Sequence, residues 1–285
     1  MSCSISNVNL LTSSSTGKTS NIPVLGFVTA RYPFVGSEII KEAILDVIRV
    51  GYRHFDTATL YQTEQSLGEA ISEALSLGLI ESRQDLALHH FQAVVQNLGL
   101  EYLDLYLIHW PVSVKLGNYD FQFDKEYLLP IDFKGVWEVM EECQKLGLTK
   151  SIGVSNFSCK KIQNLLATAK IPPAVNQKAR RAKGTPWGSN GVMESETLTQ
   201  IADAKGKTLA QVCLRWAYEQ EVSFVVKSFS KERISENGDI FDWELCPEEV
   251  EKINQIPQKR GFPAFDFVAD HGPYKTLEEL WDGEI

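Results

Sequence analysis

Apolar positions change their period repeatedly along this chain, and the changes predict strands alternating with helices. Pro23-Val24-Leu25-Gly26-Phe27 is a short apolar run suited to a buried strand. From Ser37 the spacing lengthens. Ile39, Ile40, Ala43, Ile44, Val47 and Ile48 recur three and four apart, which predicts a helix capped by Ser37 and stopped by Gly51. Tyr52 to Asp56 predicts a strand. Leu67, Ala70, Ile71, Ala74 and Leu75 then predict a helix from about Glu64 to Leu77, with Gly78 beyond its end. Leu103 to His109 is the next apolar strand. Phe133, Val136, Trp137, Met140 and Cys143 have helical spacing, ended by Gly147. Ser151 to Val154 reads as a strand, and Ser158 caps a helix that carries Ile162, Leu165 and Leu166. Ala174 to Gln177 is a short strand, Thr208 to Tyr218 a helix and Val222 to Lys227 a strand.

Such alternation predicts a parallel sheet, either open or closed into a barrel. An open dinucleotide-binding sheet would carry a glycine fingerprint after an early strand. The chain has neither GxGxxG nor a phosphate-loop GxxxxGK[ST]. A (β/α)8 TIM-barrel type α/β fold is therefore expected, as one domain over residues 1–285. Residues 1–21 predict a loose segment or a short hairpin, and 257–285 an irregular aromatic tail. The alternation fails twice. Between Leu79 and Leu103 a helical pattern (Leu86, Phe91, Val94, Val95, Leu98) has no strand before it. Between Gln177 and Met193 lies only a basic, glycine-rich loop that includes Lys178, Arg180, Arg181 and Lys183. About six strands are recognisable where a full barrel has eight, so an incomplete barrel is expected.

Composition narrows the partners. There are 28 basic and 37 acidic side chains, a net charge of −9, which disfavours nucleic acid or an anionic membrane surface as the main partner. No stretch approaches a membrane span. The 5 cysteines include no CxxC pair and have no metal-ligand spacing, so a reducing, cytoplasmic compartment and no metal are expected. Asn156-Phe157-Ser158 matches the glycosylation pattern, and with nothing else pointing to secretion it reads as chance.

Barrel enzymes place reactive groups at the C-terminal ends of strands. Here those ends read Asp56, His109, Ser155-Asn156, Gln177 and Lys227-Ser228. Each alone has a bland reading: a core histidine with one hydrogen bond, a packed Tyr61, a turn-bonding Asp56. Their joint occurrence on one face is what points to a site. Lys227 and Arg233 flank a strand-to-helix turn and could grip a phosphate with the helix N-terminus. Hydrolysis by paired carboxylates would need a second acid, and only Asp56 falls at a strand end.

Gly51-Tyr-Arg-His-Phe-Asp56-Thr-Ala58 with Tyr61 closely resembles the signature around the catalytic tyrosine of the aldo-keto reductases. Leu103-Asp-Leu-Tyr-Leu-Ile-His109-Trp-Pro111, Ile152-Gly-Val-Ser155-Asn156-Phe157, Val175-Asn176-Gln177 and Val226-Lys227-Ser228 through Arg233 resemble further segments in that family's order. Ser158-Cys-Lys-Lys-Ile, Pro186-Trp-Gly-Ser-Asn and Ile240-Phe-Asp-Trp-Glu are similar to its plant branch of chalcone and codeinone reductases. The resemblance implies NADPH-dependent reduction of a small-molecule carbonyl by a monomer. It implies Tyr61 as proton donor, His109 as the group orienting the carbonyl and Asp56 as partner of a lysine on the third strand. It further implies Ser155, Asn156 and Gln177 at the nicotinamide carboxamide. Lys227, Ser228 and Arg233 would hold the 2′-phosphate, Glu236 and Asn237 would lie at the adenine, and Trp110 would line the substrate pocket. Against that pattern the third strand with its lysine, and most of the seventh strand, are expected to be missing. Val28 stands where the family has glycine. The alternative is a catalytically impaired relative, a decayed paralogue or splice product, that keeps at most NADPH or partner binding.

Overall fold

The computed structural model describes residues 5–9, 21–31, 33, 35–82, 86–91, 98–115, 124–178, 191–257 and 260–284. Near the N-terminus, β1 (Asn7–Asn9) and β2 (Asn21–Pro23) pair antiparallel, the hairpin alternative anticipated for residues 1–21. The main sheet has seven strands: β3 (Leu25–Val28), β4 (His54–Ala58), β5 (Ala87–Phe91), β6 (Leu103–Ile108), β9 (Thr149–Ser155), β10 (Asn176–Gln177) and β11 (Phe224–Val226). A short antiparallel pair, β7 (Ser113–Val114) with β8 (Leu128–Leu129), follows β6. The main strands are ordered β10-β9-β6-β5-β4-β3-β11, and every pairing is parallel. Parallel neighbours need crossovers, and helices on the outer face supply them.

One expectation is overturned here. The third strand is present: β5 pairs with β4 from His54↔Ala87 to Ala58↔Phe91 and with β6 from His89↔Leu105 to Phe91↔Leu107. The helical spacing that begins at Leu86 is therefore not realised up to Phe91. Two flanking strands with free hydrogen-bonding edges outweigh a weak local preference, since strand formation depends strongly on context. The count of main-sheet strands is seven among the described residues, not six. Residues 92–97, and the basic loop from 179 to 190 except its neighbour Lys178, lie outside the described residues. Within them, no strand joins β10 to β11.

The helices follow the apolar spacing. α1 (Ser37–Val50) buries Ile40, Ile44, Leu45, Val47 and Ile48 against the sheet. Gly51 ends it at φ 115°, a left-handed conformation that glycine adopts without penalty. Ser37 is the first helical residue and makes no cap bond, because Gly36 takes the capping position. α2 (Glu64–Ser76) packs beside α1. α3 (Phe133–Lys145) and α4 (Cys159–Leu166) cover β6 and β9 through Trp137, Met140, Ile152, Val154 and Leu165. α5 (Glu196–Lys205), α6 (Leu209–Glu219) and α8 (Pro247–Asn254) share a separate cluster that includes Leu198, Ile201, Val212 and Ile253. α7 (Lys231–Gly238) follows β11, and α9 (Leu277–Trp281) gives the tail an ordered turn that its composition did not suggest. Gly26 permits a close approach inside the barrel, since a Cβ there would lie 2.6 Å from the His54 ring. His54 is buried and bonds the Pro23 carbonyl at 2.8 Å, and burial pushes its pKa down to about 4. It is a neutral structural residue.

Candidate active site

The C-terminal ends of the strands converge as barrel geometry requires. Asp56 sits on β4, 1% exposed. Its Oδ2 accepts a hydrogen bond of 2.9 Å from Gln177 Nε2 at the end of β10. In the sheet order β10 and β4 are separated by β9, β6 and β5, so this bond crosses the concave interior and shows how far the sheet curls. Burial pushes the Asp56 carboxyl up to about 7, against the opposing effect of the Gln177 donor.

Tyr61 closes the 3-10 turn Thr59–Tyr61 that leaves β4, and Gln62 reverses the chain at φ 55°. The turn is anchored beneath by three buried hydroxyls. Thr29 Oγ1 lies 2.9 Å from Thr57 Oγ1 and 2.7 Å from Thr63 Oγ1. Burial, and then the Asp56 charge, raise the Tyr61 phenol well above its ordinary value. Its ring meets His109 edge-on, with centroids 6.0 Å apart and planes at 86°. Tyr61 also lines a cavity of about 110 Å³ with Arg31, Val35, Thr63 and Ser66.

The loop after β9 fixes His109 and Gln177 together. Asn156 Nδ2 donates to the His109 carbonyl at 3.0 Å and to Ser155 Oγ at 2.9 Å. Ser155 Oγ donates to the Gln177 carbonyl at 2.9 Å. Asn156 has φ 61° and is 2% exposed, so the glycosylation match falls on a buried side chain. Lys178 Nζ donates to the Phe157 carbonyl. Ser155, Asn156 and Gln177 are thus brought together, but in this structure their side chains bond the protein itself.

At the other end, Lys227 follows β11, half-buried. Burial and the neighbouring Arg31 charge both lower its pKa. Arg31 lies over the Phe229 ring, 4.6 Å from guanidinium carbon to centroid. Two neighbouring cations make a place where an anion is favoured. Ser228 is buried and its Oγ accepts from Ser230 N at 3.2 Å, shaping the turn into α7, which Ser230 caps. Arg233 and Glu236 project from exposed positions of α7, and Asn237 is half-buried. Arg31 was not singled out in the sequence, although it stands just past the end of a barrel strand, where that criterion could have found it.

Trp110, next to His109, packs at 4.4 Å from Phe267 and 5.4 Å from Phe262, with Trp281 at 6.2 Å. The tail therefore builds an apolar wall beside the site.

Parallel strands with a buried carboxyl, a tyrosine and a histidine grouped toward their C-terminal ends define a protein of the α/β-barrel class. The chain belongs to the Aldo/keto reductase family, whose profile matches residues 33–180 and 178–258. Those pieces meet where the strand–helix alternation fails for the second time. The chain is 51% identical to a (1S)-1,7-diacetoxy-luvungin A aldo-keto reductase of Citrus sinensis, over 93% of this chain and 95% of the relative. It is 50% identical to the NADPH-dependent codeinone reductase 1-4 of Papaver somniferum, over 92% and 94%. Among solved structures, a Bombyx mori aldo-keto reductase in complex with NADP matches with a TM-score of 0.71 at 28% identity, covering 88% of this chain and 92% of that one. The aldose reductase of Schistosoma japonicum matches with a TM-score of 0.76 at 29% identity, covering 91% and 95%.

Proposed function

We propose that this chain reduces an aldehyde or ketone to the alcohol with NADPH. The observation that carries the reading is the grouping of Tyr61, His109 and Asp56 at one mouth of the barrel, in a chain half identical to an NADPH-dependent codeinone reductase. NADPH supplies the hydride when bound. The residues present fit it best at its phosphate end. Lys227 is a cation crowded by a second cation, Arg31, and a bound anion relieves that crowding. Arg233 on α7 and the helix N-terminus add to the same attraction. Ser155, Asn156 and Gln177 hold the carboxamide end, and Gln177 gives up its bond to Asp56 to do so.

Tyr61 donates the proton to the carbonyl oxygen as the alkoxide forms. His109, fixed through its backbone by Asn156, orients that oxygen. The wall of Trp110, Phe262 and Phe267 excludes water and favours an aromatic or otherwise apolar substrate. Among the described residues no lysine or arginine forms an ion pair with Asp56. The role of that missing ammonium is met by protonation of Asp56. A neutral carboxyl beside Tyr61 does not oppose the tyrosinate that forms during proton transfer.

The second reading, a relative that binds NADPH without turnover, rests on the same missing ammonium. Oxidation of NADPH with an activated aromatic aldehyde separates the two. Turnover that Tyr61→Phe abolishes supports the reductase. Tight NADPH binding with no turnover supports the binding-only relative.

A further inference from the structure

The motif Ser158-Cys159-Lys160-Lys161 opens α4, on the outside of the barrel, and takes no part in the chemistry above. Lys161 is nevertheless only 4% exposed, which is rare for lysine unless it is paired. Its Nζ donates to Asp282 Oδ2 at 2.6 Å and to the Leu280 carbonyl at 2.8 Å, and it lies 4.8 Å from the Tyr274 ring centroid. Ser158 is fully buried. Its Oγ accepts from Lys161 N at 3.1 Å, capping α4, and donates to Asp282 Oδ2 at 2.5 Å. Cys159 N donates to Glu284 Oε1 at 2.6 Å. The tail's last acidic residues thus sit on the N-terminus of α4, where negative charge is favoured. Asp282 adopts φ 54° to do this, a left-handed conformation held by its contacts.

The residue before Asp282 is Trp281, 2% exposed, whose Nε1 donates to the Pro263 carbonyl at 2.8 Å and whose ring faces Trp110. Tyr274 donates its hydroxyl to the Pro111 carbonyl at 3.1 Å. The segment 155–161 therefore links two parts of the molecule. Its start, Ser155 and Asn156, holds Gln177 and His109, and its end holds the tail that builds the aromatic wall.

We propose that Lys161, acting through Asp282, is a positioning residue that latches the tail against Trp110 and so sets which carbonyls the site accepts. The substrate part of this rests on the reductase reading; the latch does not. Without the latch, Trp281 and Phe267 lose their fixed distance from Trp110 and the wall loses its shape. A bulky substrate that uses the whole wall then binds less well, while a small one does not depend on it.

The test uses the full chain and the variants Lys161→Met and Asp282→Asn, which keep the volume and remove the ion pair. Hydrogen exchange of residues 260–284 is expected to quicken about tenfold in either variant, with the double variant no worse than the poorer single one. KM for a bulky aromatic ketone is expected to rise about tenfold, with kcat for a small aldehyde changed by less than about twofold. Unchanged tail exchange in both variants overturns the latch whatever the activity. Faster exchange with equal changes in KM for bulky and small carbonyls overturns its part in specificity. If the parent chain turns over no carbonyl, the reductase reading fails, and the exchange measurement still decides the latch.

Discussion

The two ends of the proposed cofactor path differ in kind. At the phosphate end, Lys227 and Arg31 are neighbouring half-exposed cations, and among the described residues neither has a salt-bridge partner. At the proton-transfer end, the groups are buried and already paired within the protein. Gln177 bonds Asp56, Asn156 bonds the His109 carbonyl, and Ser155 bonds the Gln177 carbonyl. One end is prepared for a ligand by unrelieved repulsion. The other must break bonds to receive one. Binding and chemistry should therefore respond to different substitutions and to different conditions.

The largest expected effect is at the chemical end. Tyr61→Phe should lower kcat by about 10²–10⁴-fold, the usual worth of a positioned proton donor, with NADPH affinity little changed. A fluorescence titration beside steady-state rates checks both parts. Next comes the phosphate end. Lys227→Met should weaken NADPH binding by about 10–100-fold, the scale of a lost charge-assisted hydrogen bond, and leave NADH binding nearly unchanged. Equal losses for the two nucleotides would remove the 2′-phosphate from Lys227. Arg31→Gln should have the smaller effect, a few-fold loss, because its charge acts beside the phosphate contact and by crowding Lys227.

The pH response sharpens the contrast further. Asp56 titrates at about 7, where burial has raised it. Below that value it is neutral and Tyr61 can carry developing negative charge. Above it, Asp56 ionises and opposes that charge. The rate should therefore fall as pH rises through about 7, and Asp56→Asn should flatten the profile. The same shift has a sign for stability. The folded chain holds a proton on Asp56 that the unfolded chain releases near 3.8, so this group's contribution is fully present below that value and is lost as pH rises towards about 7. Asp282 acts oppositely. Burial works against its ionisation, but the Lys161 and Ser158 donors outweigh that and hold its pKa below the ordinary value. Its stabilisation is present at neutral pH and is lost on acidification. Thermal unfolding of the two Asn variants across pH should separate these slopes.

Much of this arrangement was legible in the sequence because strand ends are local features. Asp56, His109, Ser155, Asn156, Gln177 and Lys227 could each be placed at the end of an apolar run; the structure has strands ending at or beside all of them but Asp56, whose strand continues to Ala58. What could not be read is what depends on distant partners. β5 has a sequence, Ala-Leu-His-His-Phe, without clear alternation, and its neighbours β4 and β6 decide its conformation. The Gln177–Asp56 bond joins residues 121 positions apart, and so does the Lys161–Asp282 pair. Neither has a periodic signature. The tail helix of five residues is too short to show one.

The central claim is that proton transfer by Tyr61 works beside a protonated Asp56, with no lysine or arginine paired to it among the described residues. The most direct measurement is the single-turnover rate of NADPH oxidation with an activated aromatic aldehyde, at saturating cofactor, across the pH range around about 7. The account predicts a rate that is Tyr61-dependent and falls with rising pH, with the fall removed by Asp56→Asn. A rate that Tyr61→Phe leaves unchanged, or a pH dependence that survives Asp56→Asn, would contradict it.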